Sequence, residues 1–197
     1  MEKRSELRKR KKIVIKVGSS TITHEKTGQI NIEKIEKMAR RIADLKGIGK
    51  DVILVSSGAI AAGRQALGNG EKPKTLSQKQ AFSAVGQARL MMIYQKIFSE
   101  YNITTAQVLM TKSTMIEDDE EFMKMGKGTN SNVGTGGMQT KLIAAKIATT
   151  AGADMVIANG KNMDIISEVM KGRAVGTLFM AHKSKVFDLV KVIEEEV

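Results

Sequence analysis

The 197-residue chain has no cysteine. That excludes disulfides, thiol catalysis and cysteine-ligated zinc. It has no tryptophan, two tyrosines and five phenylalanines, and no aromatic stripe on which bases could stack. A single proline argues against a low-complexity chain. The longest apolar runs, such as Val52-Ile53-Leu54-Val55, fall far short of the roughly 20 residues a membrane-spanning helix needs. The stretch Glu2 to Lys12 is charged and carries no apolar core of the signal-peptide kind. The expected address is therefore the cytoplasm. The two histidines, His24 and His182, stand in no metal-ligand spacing, and no protein-bound metal site is expected.

Acidic residues are also in short supply: 21, against 32 basic ones, for a net charge of +11. Such an excess suits polyanionic partners, whether nucleic acid, acidic membrane or nucleotide phosphates. Much of it is local. Lys3, Arg4, Arg8, Lys9, Arg10, Lys11 and Lys12 face only Glu2 and Glu6. Residues 1–11 are read as a basic tail, a solvated end rather than a nucleic-acid arm.

What is present is a chain of alternating strand and helix signals. Hydrophobic residues make up 42%, enough for a core. Lys12–Val17 and Asp51–Val55 read as short buried strands. Residues 31–46 have apolar side chains at helical spacing, with Asn31 as cap and Gly47 as stop. Helices are predicted over 59–67, 77–100, 138–151 and 162–171. Further strands are predicted over 104–111, 154–158 and 175–180, and a last helical pattern over 187–197. The alternation predicts an α/β fold with a mainly parallel sheet covered by helices. Residues 112–132 break the pattern, with an acidic cluster and no strand signal.

Ligands of open parallel sheets bind beyond the carboxyl ends of the strands. Two strands here run into Gly18-Ser19-Ser20 and Ser56-Ser57-Gly58, and a third into Asn159-Gly160. Small residues let the backbone approach a ligand closely, and phosphate is the natural guest. Lys16 emerges from an apolar strand beside the first of these loops, where phosphate contact is favoured over snorkelling to solvent. The run Val133 to Lys141 places three glycines before a helix whose first turn holds Thr140 and Lys141. Helix N-terminus, loop amides and a lysine would together meet an anion. It is not a Walker A loop.

The segments IVIKVGSSTIT (13–23), VILVSSGAIAAGRQALG (52–68), KQAFSAVGQARLM (79–91), VGTGGMQTKLIAAKIATTAGADMVIANG (133–160) and GRAVGTLF (172–179) resemble the bacterial glutamate 5-kinases of the amino-acid kinase superfamily. The match is in order and covers most of residues 12–180. It implies a three-layer α/β/α sandwich around a mainly parallel sheet. It implies transfer of the ATP γ-phosphoryl group to the side-chain carboxylate of L-glutamate, giving L-glutamyl 5-phosphate, the first step of proline biosynthesis. Mg²⁺ would be held mainly by the phosphates. Lys16 and Lys141 match the family's two phosphate-facing, catalytic lysines. Gly18, Thr135, Gly136, Gly137, Met138, Gln139 and Thr140 match its nucleotide-binding positions, and Ser57 and Gly58 its glutamate-binding ones. A homo-oligomer, dimer or tetramer, is implied, with no membrane or nucleic-acid partner.

The resemblance breaks at one place. Between a strand like AQVLMT and a loop like VGTGGM the family carries several dozen residues with no counterpart here, including part of its glutamate site. The jump falls between Thr111 and Glu120, and a gap in the chain is expected between Lys112 and Glu117. The RNA-binding-like C-terminal domain of some relatives has no counterpart either. The kinase domain is thus expected over 12–197, shortened near 112–120. The alternatives are a nucleotide-binding relative with lost or altered substrate activity, and a basic nucleic-acid-binding module.

Overall fold

The computed structural model describes residues 2–68, 71–109, 137–184 and 187. In chain order its elements are α1 (Glu2–Ser5), a 3₁₀ turn (Glu6–Lys9), β1 (Lys12–Val17), a 3₁₀ turn (Ser19–Thr21), α2 (Ile32–Gly47), β2 (Asp51–Ser56), α3 (Ala59–Ala66), α4 (Leu76–Ser99), α5 (Met138–Thr150), β3 (Met155–Ile157), α6 (Ile165–Met170) and β4 (Thr177–Phe179). The chain divides into two compact units. One is Met1–Gln107 with Ala158–Val175, the other Val108–Ile157 with Gly176–Val197.

In the first unit β1 and β2 pair in parallel, from Lys12 opposite Asp51 to Val17 opposite Ser56, with α2 as the crossover. Helix α2 forms because Ile35, Met38, Ala39, Ile42 and Leu45 repeat at helical spacing and are all buried. Asn31 caps it, its Oδ1 accepting the Lys34 N–H at 3.0 Å. Helix α4 begins with a capping box: the Gln78 N–H donates to Thr75 Oγ1, and the Thr75 N–H donates to Gln78 Oε1, both at 3.2 Å. The core joins Val17, Ile22, Ile35, Met38 and Ile42 to Leu90, Tyr94 and Phe98. Helices α3 and α4 cross at glycines. A Cβ on Gly86 would lie 1.7 Å from the Ala59 carbonyl oxygen, and one on Gly63 1.9 Å from that of Phe82.

Both strands were expected to be buried, yet they alternate. Ile13, Ile15 and Leu54 turn toward the core side, while Val14 and Ile53 on the other face are 64% and 63% exposed. The predicted strand over 104–111 does not form across its described part: Thr104–Leu109 lie in no strand, with Val108 and Leu109 exposed. An apolar run alone does not make a strand; its N–H and C=O groups need a paired neighbour. Residues 110–136 and 188–197 lie outside the described residues, and with them the acidic cluster, the expected gap and the last helical pattern.

The basic N-terminal segment is exposed over most of its residues but is anchored to the first unit. Leu7 is buried. The Arg4 guanidinium donates to the Val175 carbonyl at 2.8 Å, and Arg8 Nε to the Lys171 carbonyl at 2.8 Å. An apolar side chain with a place to bury and two long cations reaching free carbonyls outweigh the fraying expected of a charged terminus.

In the second unit α5 packs on β3, and β3 pairs with β4 in antiparallel fashion, Met155 opposite Phe179. The sheet pairs among the described residues are therefore one parallel and one antiparallel. The Ala181 N–H donates to Asp154 Oδ1 at 3.0 Å, and the His182 N–H to the Thr149 carbonyl at 2.9 Å.

Candidate functional site

The strand ends of the first unit converge. The Ser57 N–H donates to the Val17 carbonyl at 3.0 Å, extending the ladder one step beyond β2. Lys16 pairs with Val55. By the alternation of a strand, Lys16, Val55 and Ser57 share the open face, and all three are exposed. The lysine and the serine are thus diagonal neighbours at the carboxyl end of the parallel pair.

Beyond them the chain turns tightly. The Thr21 N–H donates to the Gly18 carbonyl and the Ile22 N–H to that of Ser19, at 3.0 and 3.1 Å. The loop at Asn159-Gly160 reaches the same turn: a Cβ on Gly160 would lie 2.7 Å from Thr21 Cγ2. Gly58 caps α3 with φ +119, a conformation that L side chains rarely adopt, and a Cβ there would meet Ile22 Cδ1 at 2.7 Å. Gly18 differs. Its φ is −80, and nothing lies within 4 Å of where a Cβ would stand. Neither backbone conformation nor packing calls for glycine there.

Ser56 is held from behind. Its Oγ shares a 2.6 Å hydrogen bond with the Tyr94 hydroxyl. Burial pushes the Tyr94 phenol above its ordinary pKa, partly offset by that bond, so it stays protonated at neutral pH. Tyr94 lies in the core, and sequence reasoning missed that its hydroxyl positions a strand end. The available signal was that a buried tyrosine must satisfy its O–H. Gly63 and Gly86 were also missed as packing residues.

In the second unit Gly137 caps α5, with Met138, Gln139, Thr140 and Lys141 in the first turn. Thr140 Oγ1 donates to the Gly137 carbonyl at 2.9 Å. Lys141 is exposed. Gly137 has φ −67 and, like Gly18, nothing within 4 Å of a would-be Cβ. The first three amides of a helix have no partner within it and carry the positive end of its dipole. Thr135 and Gly136 lie outside the described residues.

Two arrangements suited to anions therefore exist. One is a strand-end loop with Lys16 and Ser57; the other is a helix N-terminus with Lys141. Among the described residues, no group of three or more histidines or carboxylates could hold a metal ion. No described helix is long and apolar enough to cross a membrane.

Open parallel strand ends with glycine loops and lysines are what a phosphotransferase of the α/β class presents. The amino acid kinase family model matches residues 11–122. The chain belongs to the amino acid kinase family and has its α/β fold. Its relatives carry a more particular name. It is 34% identical to the glutamate 5-kinase of Clostridium perfringens over 269 aligned positions, covering 92% of this chain and 100% of that one. It is 34% identical to the glutamate 5-kinase of Clostridium tetani, covering 88% of this chain and 96% of the relative. It is 33% identical to that of Carboxydothermus hydrogenoformans, covering 89% and 69%. An alignment of 269 positions exceeds the 197 residues of this chain. The relative therefore carries residues with no counterpart here.

Proposed function

We infer that the chain is an ATP-dependent kinase that phosphorylates the side-chain carboxylate of L-glutamate to L-glutamyl 5-phosphate, opening proline biosynthesis. The observation that carries this reading is the likeness of the chain to relatives named glutamate 5-kinase, supported by Lys16 and Ser57 on one open face at the carboxyl end of the parallel pair.

The chemistry asks little of acid–base groups. The nucleophile is a carboxylate with an ordinary pKa of about 4.3, already ionised at pH 7. One of its oxygens attacks the γ-phosphorus, the bond to the β,γ-bridging oxygen breaks, and ADP leaves. The protein must bring one anion to another and stabilise charge on the transferring group. Lys16 and Lys141 supply fixed cations in this reading, and the first amides of α5 supply oriented dipoles. Ser57 orients the glutamate and Gly58 keeps its backbone close. Mg²⁺ carried on the phosphates of ATP would add charge neutralisation there. The reading places the enzyme in the cytoplasm as a homo-oligomer.

The test is ATP-dependent formation of γ-glutamyl hydroxamate when L-glutamate and hydroxylamine are present. Hydroxamate from L-glutamate but not from L-aspartate is expected. Nucleotide binding without hydroxamate would favour the second reading, a relative that has lost its acceptor. Ser57→Ala separates the halves of the site: the KM for glutamate should rise several-fold while that for ATP stays within about two-fold, the split expected when only ground-state contacts to one substrate are lost.

A further inference from the structure

A second cationic site lies at the opposite end of the β1–β2 pair. A surface cleft of about 380 Å³ is lined by four cations, Arg8, Lys50, Lys171 and Arg173, over a floor of Leu45, Ile48 and Met170. Among the described residues no carboxylate lines it. All seven residues belong to the first unit. They come from the 3₁₀ turn, the end of α2, the start of β2 and the end of α6.

The cations are fixed chiefly by neutral groups. Lys50 Nζ donates to the Arg8 carbonyl, and to that of Arg10 at 2.8 Å. Arg8 Nε donates to the Lys171 carbonyl at 2.8 Å. Glu168 serves the other two, 3.5 Å from Lys171 Nζ and 3.8 Å from Arg173 Nε. One carboxylate near the outer limit of an ion pair thus answers two cations, and carbonyl dipoles answer the rest. Capping of chain ends accounts for where Arg8 and Lys50 point. It does not account for Lys171 and Arg173 beside them, nor for Ile48, 70% exposed in the same lining.

Four like charges held together repel one another, and the cleft gains most by taking up an anion. Arginine with lysine around one cavity matches phosphate, which accepts from both. The apolar floor selects a ligand with a body as well as a charge, and the volume suits a small organic molecule. We propose that this cleft binds a small organic phosphate, two or more negative charges carried on a planar or apolar body, separately from the reaction at the other end of the strands.

The test uses the whole chain and 1-naphthyl phosphate as probe, with calorimetry in the presence of a saturating non-hydrolysable ATP analogue to fill any nucleotide site. Inorganic phosphate and tripolyphosphate serve as charge-only controls. The variant is Lys171→Gln with Arg173→Gln, two exposed side chains whose loss leaves the carbonyl that receives Arg8 in place. Wild-type protein should bind naphthyl phosphate at least about five-fold more tightly than inorganic phosphate, from burial of the ring. The double variant should lose about ten-fold or more, as expected for charge-assisted hydrogen bonds. Its thermal midpoint without probe and its ATP turnover should not move. Equal binding of naphthyl phosphate and inorganic phosphate would overturn the proposal. So would probe binding that survives in the double variant, or binding of a single-stranded oligonucleotide with none of the probe. Because the readout is probe binding and its loss in the variant, failure of the glutamate reading would leave this result intact.

Discussion

Gly63 and Gly86 lie where α3 crosses α4, and Gly18 and Gly137 lie where loops meet open space. At the first pair the chain itself explains the glycine: a Cβ would overlap a carbonyl oxygen 1.9 or 1.7 Å away. At the second pair nothing among the described residues does, since φ is ordinary and no described atom stands within 4 Å. The same residue thus does two jobs. Between the helices it permits close backbone contact, so its worth is stability. At the loops the described residues leave room, and in the proposed reading that is where the nucleotide approaches.

The comparison can be broken at either end. Lys141→Ala tests the open side most severely. Charge grows on the transferring group only at the transition state, so turnover should fall by about 10²–10³ while ATP affinity changes little. Steady-state kinetics that retain more than about a tenth of wild-type kcat would remove Lys141 from this role. Lys16→Ala should behave alike.

Gly86→Ala tests the packed side. The helices must separate, and overpacking of this kind costs about 1–3 kcal/mol. Chemical denaturation should show the midpoint fall with the slope unchanged. An unaltered midpoint would mean that the crossing yields freely.

Gly18→Ala sharpens the contrast, because its methyl group has room in the free protein. Stability should stay within about 0.5 kcal/mol, as for a surface change. The KM for ATP should rise roughly ten-fold, the worth of about one charge-assisted hydrogen bond. If stability drops and KM does not, Gly18 belongs with the packing glycines.

The smallest effect lies in a surface network of the packed unit. The Tyr101 hydroxyl donates to Glu36 Oε1 at 2.7 Å, and Arg40 Nη2 donates to the same oxygen at 2.8 Å. The Tyr101 bond first, then Arg40, holds the Glu36 carboxyl below its ordinary value. A carboxyl with a depressed folded pKa contributes stability above its unfolded pKa and loses it as pH falls through the folded one. Glu36 is part exposed, so screening keeps the contribution under about 1 kcal/mol. Tyr101→Phe should destabilise by a few tenths of that scale at pH 7. The difference should shrink below about pH 4.5. A difference that grows on acidification would contradict the assignment.

Much of the architecture was legible in local pattern. Six β-branched or basic residues before Gly18 predicted β1 at its observed bounds. The spacing of Ile35, Met38, Ile42 and Leu45 predicted α2 to within a residue. Lys16 on the open face followed from the two-residue period of a strand. The 104–111 segment misled because strand-like composition carries no information on whether a partner strand is present. In the N-terminal segment the charge pointed to solvent, where most of its side chains stand, while the anchoring of Leu7 left no sign in the pattern.

What the sequence by itself determined is the order of helices and strands, the family, and the residue types gathered at the strand ends. These rest on periods of two and 3.6 residues and on short motifs, all readable within a few turns of chain. The tertiary structure alone decided which glycines are packed and which are open, that Tyr94 steadies Ser56 across 38 positions, and that Arg8 meets Lys171 across 163. Contacts so distant along the chain leave no periodic trace in it. They arise from how the elements bury their apolar faces, and only the folded chain brings those atoms within hydrogen-bond reach.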